Sequence, residues 1–108
     1  MECTAGLIKL RTDYESELRE WQETLAMREA EVIQTLRREG VELECWFKIT
    51  LEGEDYLLWF IRVESMERAR EVFAGSKLEI DVYHMSKMNA LKEYGIEANL
   101  LLDFCATD

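Results

Sequence analysis

The stretch VELECWFKITLEGEDYLLWFIRV, Val41–Val63, decides the fold of this chain. It holds two apolar runs rich in β-branched and aromatic residues, separated by the turn-forming segment Glu52–Asp55. This pattern predicts a β-hairpin. Whether the turn contains two residues or four, odd positions of the first strand pair with even positions of the second, so the two faces can be assigned without knowing the strand ends.

Both predicted faces of this hairpin carry apolar side chains. One face holds Val41, Leu43, Cys45, Phe47, Ile49, Leu51, Tyr56, Leu58, Phe60 and Arg62, and the other holds Glu42, Glu44, Trp46, Lys48, Thr50, Leu57, Trp59, Ile61 and Val63. A sheet with one side in water would alternate cleanly between apolar and polar residues. We therefore expect helices on one face and a second cover on the other.

The chain before the hairpin predicts one strand and one long helix. Cys3–Leu10 is an apolar run with small residues at its centre, where a neighbouring backbone or a ligand could approach closely. Thr12–Glu15 is a capping-box pattern, and a helical apolar stripe follows it as far as Gly40, with an interruption at Arg28. The stripe indicates core packing against the sheet in preference to a cofactor-lining role.

The chain after the hairpin predicts two helical segments and a closing strand. Ser65 is placed to cap the first segment, Ser76–Glu79 is a second capping-box pattern, and Gly95 is the expected end of the second segment. The apolar run Glu97–Cys105 is then the expected last strand. The predicted order is strand, helix, strand, strand, helices, strand.

Composition limits the classes of function. The 108 residues are enough for a single domain, 1–108, with one core. With 23 acidic against 13 basic residues the net charge is -10, which argues against nucleic acid and anionic membrane surfaces as partners. No apolar run reaches the length of a membrane span and no signal peptide begins the chain, so we expect a cytoplasmic protein. Cys3, Cys45 and Cys105 fit reduced thiols better than disulfides or zinc ligands, and no metal site is predicted.

The predicted element order defines the fold class. The order βαββαβ is that of the ferredoxin-like α+β fold, in which helices cover one face of a four-stranded antiparallel sheet. The other face would then leave a large apolar patch in water, so we expect a homodimer formed through that face. In this respect the chain resembles the dimeric α+β barrel superfamily, which includes small monooxygenases, haem-degrading enzymes, sugar mutarotases and muconolactone isomerases.

Five segments carry a narrower resemblance. They are Gly6–Leu10, the helix end RREGV, Leu43–Phe47, Glu54–Ser65 and Ile80–His84. Together they resemble a family of uncharacterised prokaryotic proteins known only as a domain of unknown function. The resemblance implies no activity. It does suggest that proteins of this family have unusual residues in two segments, Glu44/Trp46 and Ile80–His84.

Two candidate catalytic residues follow. His84 is the one histidine in the chain and titrates near neutrality in water, so it could act as a general base or as an axial ligand. Glu44 lies among aromatic residues on its strand face, where desolvation would raise its pKa. Candidate ligand-binding residues are Trp46, Trp59, Asp81 and Tyr83. The plainer alternatives are a histidine with a local partner and a strand-edge charge that prevents aggregation.

Three functions remain open from the sequence. The first is a homodimer whose sheet–helix cleft binds a small, partly apolar organic molecule, with His84 or Glu44 transferring a proton as in an isomerase or a cofactor-free monooxygenase. The second, implied by the superfamily resemblance, is haem binding and degradation with His84 as axial ligand. The third is a non-catalytic interaction or structural module. The identity of any cofactor is not determined by the sequence.

Overall fold

A computed structural model describes residues 1–106 of the chain. Its elements, in order, are β1 (Glu2–Leu10), α1 (Glu15–Met27), α2 (Glu29–Glu39), β2 (Val41–Leu51), β3 (Glu54–Val63), α3 (Met66–Ala74), α4 (Glu79–Leu91) and β4 (Lys92–Glu97). The four strands form one antiparallel sheet in the order β2-β3-β1-β4. This confirms the ferredoxin-like α+β fold.

The predicted hairpin is present, and its two faces follow the predicted parity with one correction. Cys45 pairs with Phe60 and Phe47 with Leu58, so these four side chains share a face, as expected. A register shift between Val41 and Leu43 moves Val41 to the opposite face, because a bulge adds one residue to β2 and reverses the alternation beyond it. Val41 therefore packs in the small buried cluster beneath the helices.

The predicted long helix is two helices, α1 and α2. Arg28 leaves helical geometry at φ -107° and ψ 33°, which is where the apolar stripe is interrupted in the sequence. The expected cap at Thr12 was wrong: α1 begins at Glu15 without a side-chain cap, because Asp13 adopts a left-handed φ of 62° and turns the chain after Thr12. The predicted end is confirmed at Gly40, whose φ of 75° gives α2 a left-handed C-cap.

The predicted last strand was also misplaced. β4 is Lys92–Glu97, so Gly95 is a strand residue and not a helix stop. The reason is a long-range contact: the carbonyl of Leu91, the last residue of α4, accepts a hydrogen bond from the Arg11 amide. This bond places Lys92 directly opposite Leu10, and pairing with β1 begins with no connecting loop.

The helices cover one face of the sheet and leave the other uncovered. We call these the helix-covered face and the open face. The main core lies under α1 and α4 and includes Leu10, Leu18, Trp21, Leu57 and Leu91. Lys87 on α4 joins these helices through ion pairs to two glutamates of α1. Within residues 1–106, no helix is both long and apolar enough to cross a membrane.

Candidate functional site

A cavity of about 660 Å³ lies between the helices and the helix-covered face of the sheet. Every one of the eight helices and strands contributes to its wall. Its lining is mostly apolar, and polar side chains are concentrated at a few positions. This is the composition expected of a site for a small molecule.

The floor of the cavity is a row of residues that crosses all four strands. Trp46 on β2 pairs with Trp59 on β3, Trp59 with Gly6 on β1, and Gly6 with Glu97 on β4. A Cβ atom at position 6 would lie 2.7 Å from the Trp59 ring and 2.6 Å from the carbonyl oxygen of Ile96. The missing side chain therefore lets the Trp59 ring lie across β1. The close approach predicted for this part of β1 is confirmed.

His84 on α4 is enclosed by aromatic rings. Its ring centroid lies 5.0 Å from that of Trp21, 5.6 Å from that of Trp46 and 5.7 Å from that of Phe73. Trp21 is 1% exposed, and its ring meets that of Trp46 edge-on. These contacts fix the imidazole plane at the cavity wall.

The protonation state of His84 follows from its hydrogen bond. Trp21 Nε1 donates to His84 Nδ1 at 3.2 Å. An indole nitrogen can only donate, so Nδ1 is the unprotonated nitrogen and Nε2 carries the hydrogen. Burial lowers the pKa of His84 to about 4, although the charge of Asp81 opposes this shift. At neutral pH the His84 ring is therefore neutral, and its Nε2–H group is a hydrogen-bond donor that Trp21 does not use.

Glu44 enters the cavity from the helix-covered face of β2. Its Oε2 accepts a hydrogen bond of 2.7 Å from Trp46 Nε1, two positions along the same strand. Burial raises the pKa of Glu44, and the Trp46 hydrogen bond partly offsets that rise by stabilising the carboxylate. The result is a carboxylate more basic than one in water and held in a fixed orientation.

The polar end of the cavity is built around Thr35 on α2. Its Oγ1 lies 2.7 Å from both carboxylate oxygens of Asp81 and 3.1 Å from Glu39 Oε2. Ser76 donates to Asp81 Oδ2 at 2.5 Å, and its own hydroxyl accepts from the Leu78 amide at the start of α4. Ser76 therefore orients Asp81, and does not form the predicted capping box with Glu79.

A charged pair lies at the rim of the cavity on the β4 side. Arg70 Nη2 on α3 donates to Glu97 Oε1 at 2.8 Å, and both residues line the cavity. Both side chains are more than half exposed, so water reaches this pair. The rim is therefore polar while the floor beneath it is aromatic.

The structure brings four of the predicted site residues together: Glu44, Trp46, Trp59 and His84 all line the cavity. Asp81 lines it as well, but its carboxylate is occupied by two hydroxyl groups. Tyr83 packs against the main core and beside Lys87, away from the cavity. Within residues 1–106 its buried hydroxyl has no hydrogen-bond partner.

Sequence reasoning missed Thr35, Glu39 and Arg70. A signal for two of them was available. Thr35 and Glu39 lie four residues apart on the same side of α2 as Val32 and Leu36, so they are polar residues within an apolar stripe. In the described part of the chain, no group of three or more His, Cys, Asp or Glu residues is arranged to hold a metal ion.

Solved structures show the same fold. L-rhamnose mutarotase FA22100 from Formosa agariphila superimposes with a TM-score of 0.64 at 18% identity, covering 96% of this chain and 99% of that one. The protein of unknown function NE2512 from Nitrosomonas europaea gives a TM-score of 0.51 at 11% identity, covering 98% and 94%. At these identities the likeness concerns the fold alone.

The comparison with sequence families is more specific. None of the curated proteins matches this chain. One family model matches residues 1–107, nearly the whole length, which agrees with the resemblance inferred from the five sequence segments. The chain therefore belongs to DUF6176, a family of unknown function.

Proposed function

We propose that this protein binds a small, partly apolar molecule in the cavity and catalyses its isomerisation by proton transfer between oxygen atoms. One observation carries the proposal: Glu44, His84, Trp46 and Trp59 converge on a cavity of about 660 Å³ between sheet and helices. A carboxylate and an imidazole that are both desolvated within one cavity are typical of acid–base sites.

The two polar groups have different roles in this proposal. Glu44 is the base, because its carboxylate is an acceptor whose pKa burial has raised towards that of the groups it must deprotonate. His84 is a hydrogen-bond donor through Nε2–H, because Trp21 already occupies Nδ1. Trp46 and Trp59 hold the apolar part of the ligand against the floor.

A monosaccharide is the substrate class that suits this arrangement. The C–H face of a pyranose ring packs on indole rings, and its hydroxyl groups need the donors and acceptors found at the polar positions. The structural neighbour from Formosa agariphila is an L-rhamnose mutarotase, so L-rhamnose is the first sugar to test. Mutarotation moves one proton off the anomeric hydroxyl and another onto the ring oxygen as the ring opens, and closure reverses both transfers.

Intrinsic fluorescence tests binding directly, because all three tryptophans of the chain line the cavity. We expect L-rhamnose to change this emission, and we expect NMR magnetisation exchange between its anomers to accelerate when the protein is added. Glu44→Gln should abolish the acceleration, whereas Glu23→Gln, a charge change on the exposed side of α1, should not. No emission change and no acceleration with L-rhamnose or with a panel of other aldoses would overturn the proposal.

The haem alternative is not supported by the geometry of His84. An axial histidine ligates iron through a nitrogen lone pair, but Trp21 uses the lone pair of Nδ1 and the hydrogen occupies Nε2. The residues present therefore do not fit an axial ligand. When haemin is added to the protein, we expect no Soret band that His84→Ala would remove.

We further propose that the protein is a cytoplasmic homodimer whose two copies meet through their open faces. Large apolar side chains lie in water on this face, including Phe47 at 55% and Ile96 at 48% exposure. Leu101 and Phe104, in the chain that follows β4, are also 89% and 86% exposed. Apolar exposure on this scale is unusual for a monomer. Cys3 and Cys45 also lie at this side without a disulfide, which suits a reducing compartment.

Light scattering after gel filtration tests the dimer. We expect the mass of two chains for the unchanged protein and of one chain for Phe47→Asp, which places a charge on the open face. Met27→Asp is the control, since Met27 is also apolar and is even more exposed, at 87%, but lies at the end of α1. A single-chain mass for the unchanged protein at high concentration would contradict this assignment.

A further inference from the structure

The hydrogen bonds around Thr35 cannot all be formed with its own hydrogen. Three carboxyl oxygens, two of Asp81 and one of Glu39, lie within 3.1 Å of its Oγ1. A threonine hydroxyl has one hydrogen to donate and can also accept. One of the two carboxyl groups must therefore supply a hydrogen of its own, or two carboxylates face the same oxygen.

The surroundings identify Glu39 as the group that carries the extra hydrogen. Asp81 already accepts from a second hydroxyl, that of Ser76, so its two oxygens are satisfied as acceptors. Within residues 1–106, Thr35 is the one side-chain hydrogen-bond partner of Glu39, and their contact, at 3.1 Å, is longer than the contacts between Thr35 and Asp81. The consistent arrangement is a neutral Glu39 carboxyl donating to Thr35 Oγ1, and Thr35 donating to Asp81.

Glu39 also reaches the cavity. It lines the wall together with Glu44, and the two carboxyl groups are close enough for their charges to interact. One carboxyl that holds its proton and one that is a fixed acceptor then share a single cavity. Pairs of acids whose surroundings give them different protonation states are the usual means by which one site supplies both an acid and a base.

We propose that Glu39 is the proton donor of this site, and that Thr35, Asp81 and Ser76 are positioning residues that hold it ready. The proposal rests on the isomerase function proposed above and names its missing acid. Glu39 gives its proton to the ring oxygen as the bond from that oxygen to the anomeric carbon breaks. Glu44 takes the proton of the anomeric hydroxyl, whose oxygen becomes the carbonyl oxygen of the open chain. Ring closure returns both protons, so the protein is unchanged after each cycle.

The electrostatic environment agrees with this role. Desolvation raises the pKa of Glu39 to about 7, the charges of Asp81 and Glu44 add to this rise, and the hydrogen bond with Thr35 and the charge of Arg38 oppose it. The charged groups that act on Glu39 are Arg38 on its own helix, Glu44 on β2 and Asp81 on α4. The other titratable groups that line the cavity are Arg70 on α3, His84 on α4, and Lys92 and Glu97 on β4. Neutral His84 adds no charge near neutral pH. Because Arg70 is paired with Glu97, the charges that act on Glu39 are two carboxylates against the single guanidinium of Arg38, and this excess of negative charge favours retention of its proton.

The first test measures the proton in the ligand-free protein. Carboxyl carbon NMR of the ¹³C-glutamate-labelled protein, assigned with Glu39→Gln, should show a Glu39 resonance that keeps its proton well above the pH at which exposed glutamates lose theirs. Thr35→Val removes the hydroxyl at nearly constant shape and should shift this resonance, whereas Thr35→Ser should leave it close to its original position. A Glu39 that titrates like the exposed glutamates overturns the proposal, whatever the activity.

The second test uses L-rhamnose mutarotation followed by NMR. We expect Glu39→Gln to slow the protein-dependent exchange by about 100-fold or more and to remove the fall in rate on the alkaline side of the pH profile. L-rhamnose should still change the tryptophan emission of this variant. An unchanged rate and pH profile in Glu39→Gln overturns the role of Glu39 alone. If the protein without substitutions neither binds any aldose nor accelerates its mutarotation, the proposed function is overturned instead, and with it any catalytic role for Glu39. Circular dichroism confirms that each variant is folded.

Discussion

The two faces of the sheet invert the usual distribution of side chains. The cavity on the helix-covered side partly buries ionisable groups, among them Glu39, Glu44 and His84, while the open face leaves Phe47 and its apolar neighbours exposed. Buried ionisable groups and exposed apolar groups both reduce the stability of an isolated chain. This contrast is the basis of the two proposals made above, chemistry on the covered face and association through the open face.

The largest expected effect is on the free energy of unfolding, and it distinguishes the two faces at adjacent positions of one strand. Leu57 and Leu58 are neighbours on β3, but Leu57 is 4% exposed under the helices and Leu58 lies on the open face. We expect Leu57→Ala to lower the free energy of unfolding by about 2–5 kcal/mol at any protein concentration. Leu58→Ala should cost less at low concentration and more as the dimer forms. Urea unfolding at several concentrations measures both, and equal, concentration-independent losses would contradict the comparison.

The second effect concerns the pH dependence that His84 gives the covered face. Its pKa is about 4 in the folded protein, below its ordinary value of 6.5, so the unfolded chain binds more protons between these values. The stability contributed by neutral His84 is present above pH 6.5 and is lost as the pH falls towards 4, by about 3 kcal/mol in total. His84→Asn, which keeps an acceptor for Trp21, should remove this loss in urea titrations. Parallel pH curves for the two proteins would show that His84 is not buried as described.

The third effect concerns the floor of the cavity. We expect Gly6→Ala to destabilise the protein by about 1–3 kcal/mol, because the new methyl group would overlap the Ile96 carbonyl and the Trp59 ring. Thermal unfolding monitored by tryptophan emission reports both the loss and the displaced ring. Gly53→Ala is a contrasting change, since nothing lies within 4 Å of its Cβ position and only its φ of 78° is unfavourable. An unaltered emission spectrum in Gly6→Ala would contradict the packing of Trp59 over β1.

The smallest effect has the opposite sign to that of His84. The pKa of Glu39 is about 7 in the folded protein, above its ordinary value of 4.5. Between these two pH values the folded protein therefore binds more protons than the unfolded chain. The stabilisation from its protonated form is complete below pH 4.5 and is lost as the pH rises through 7; water at the cavity reduces it to about 1–2 kcal/mol. Glu39→Gln should remove that alkaline loss. A variant whose stability still falls over this range would assign the slope to another group.

The fold was largely predictable from the sequence because its main signals are local. Period-two alternation in Val41–Val63 determined which side chains share a face, and Gly40 marked the end of α2. The bulge after Val41 and the start of β4 were not predictable in this way. Both depend on partners distant in sequence: the bulge on the register with β3, and β4 on the hydrogen bond between Leu91 and Arg11.

The candidate site was predicted in part for the same reason. Glu44, Trp46 and Trp59 follow from strand parity, but their meeting with His84 depended on which face the helices cover, and parity does not determine that. Glu39 and Thr35 were missed because they lie beside the helical stripe that was interpreted as core packing, and polar residues there were not considered as site residues. Only the packing of α2 over the cavity distinguishes these two positions from the exposed glutamates nearby.

The break at Arg28 has a consequence for how this site can vary. α1 is anchored to α4 and carries Trp21, which sets the state of the imidazole, whereas α2 packs on α3 and carries Thr35 and Glu39. Both helices are tied to α4, however, because Thr35 of α2 bonds to Asp81, whose charge raises the pKa of His84. A substitution at Thr35 should therefore be felt at the histidine, so a relative or a designed variant that changes the acidic end must readjust the imidazole as well.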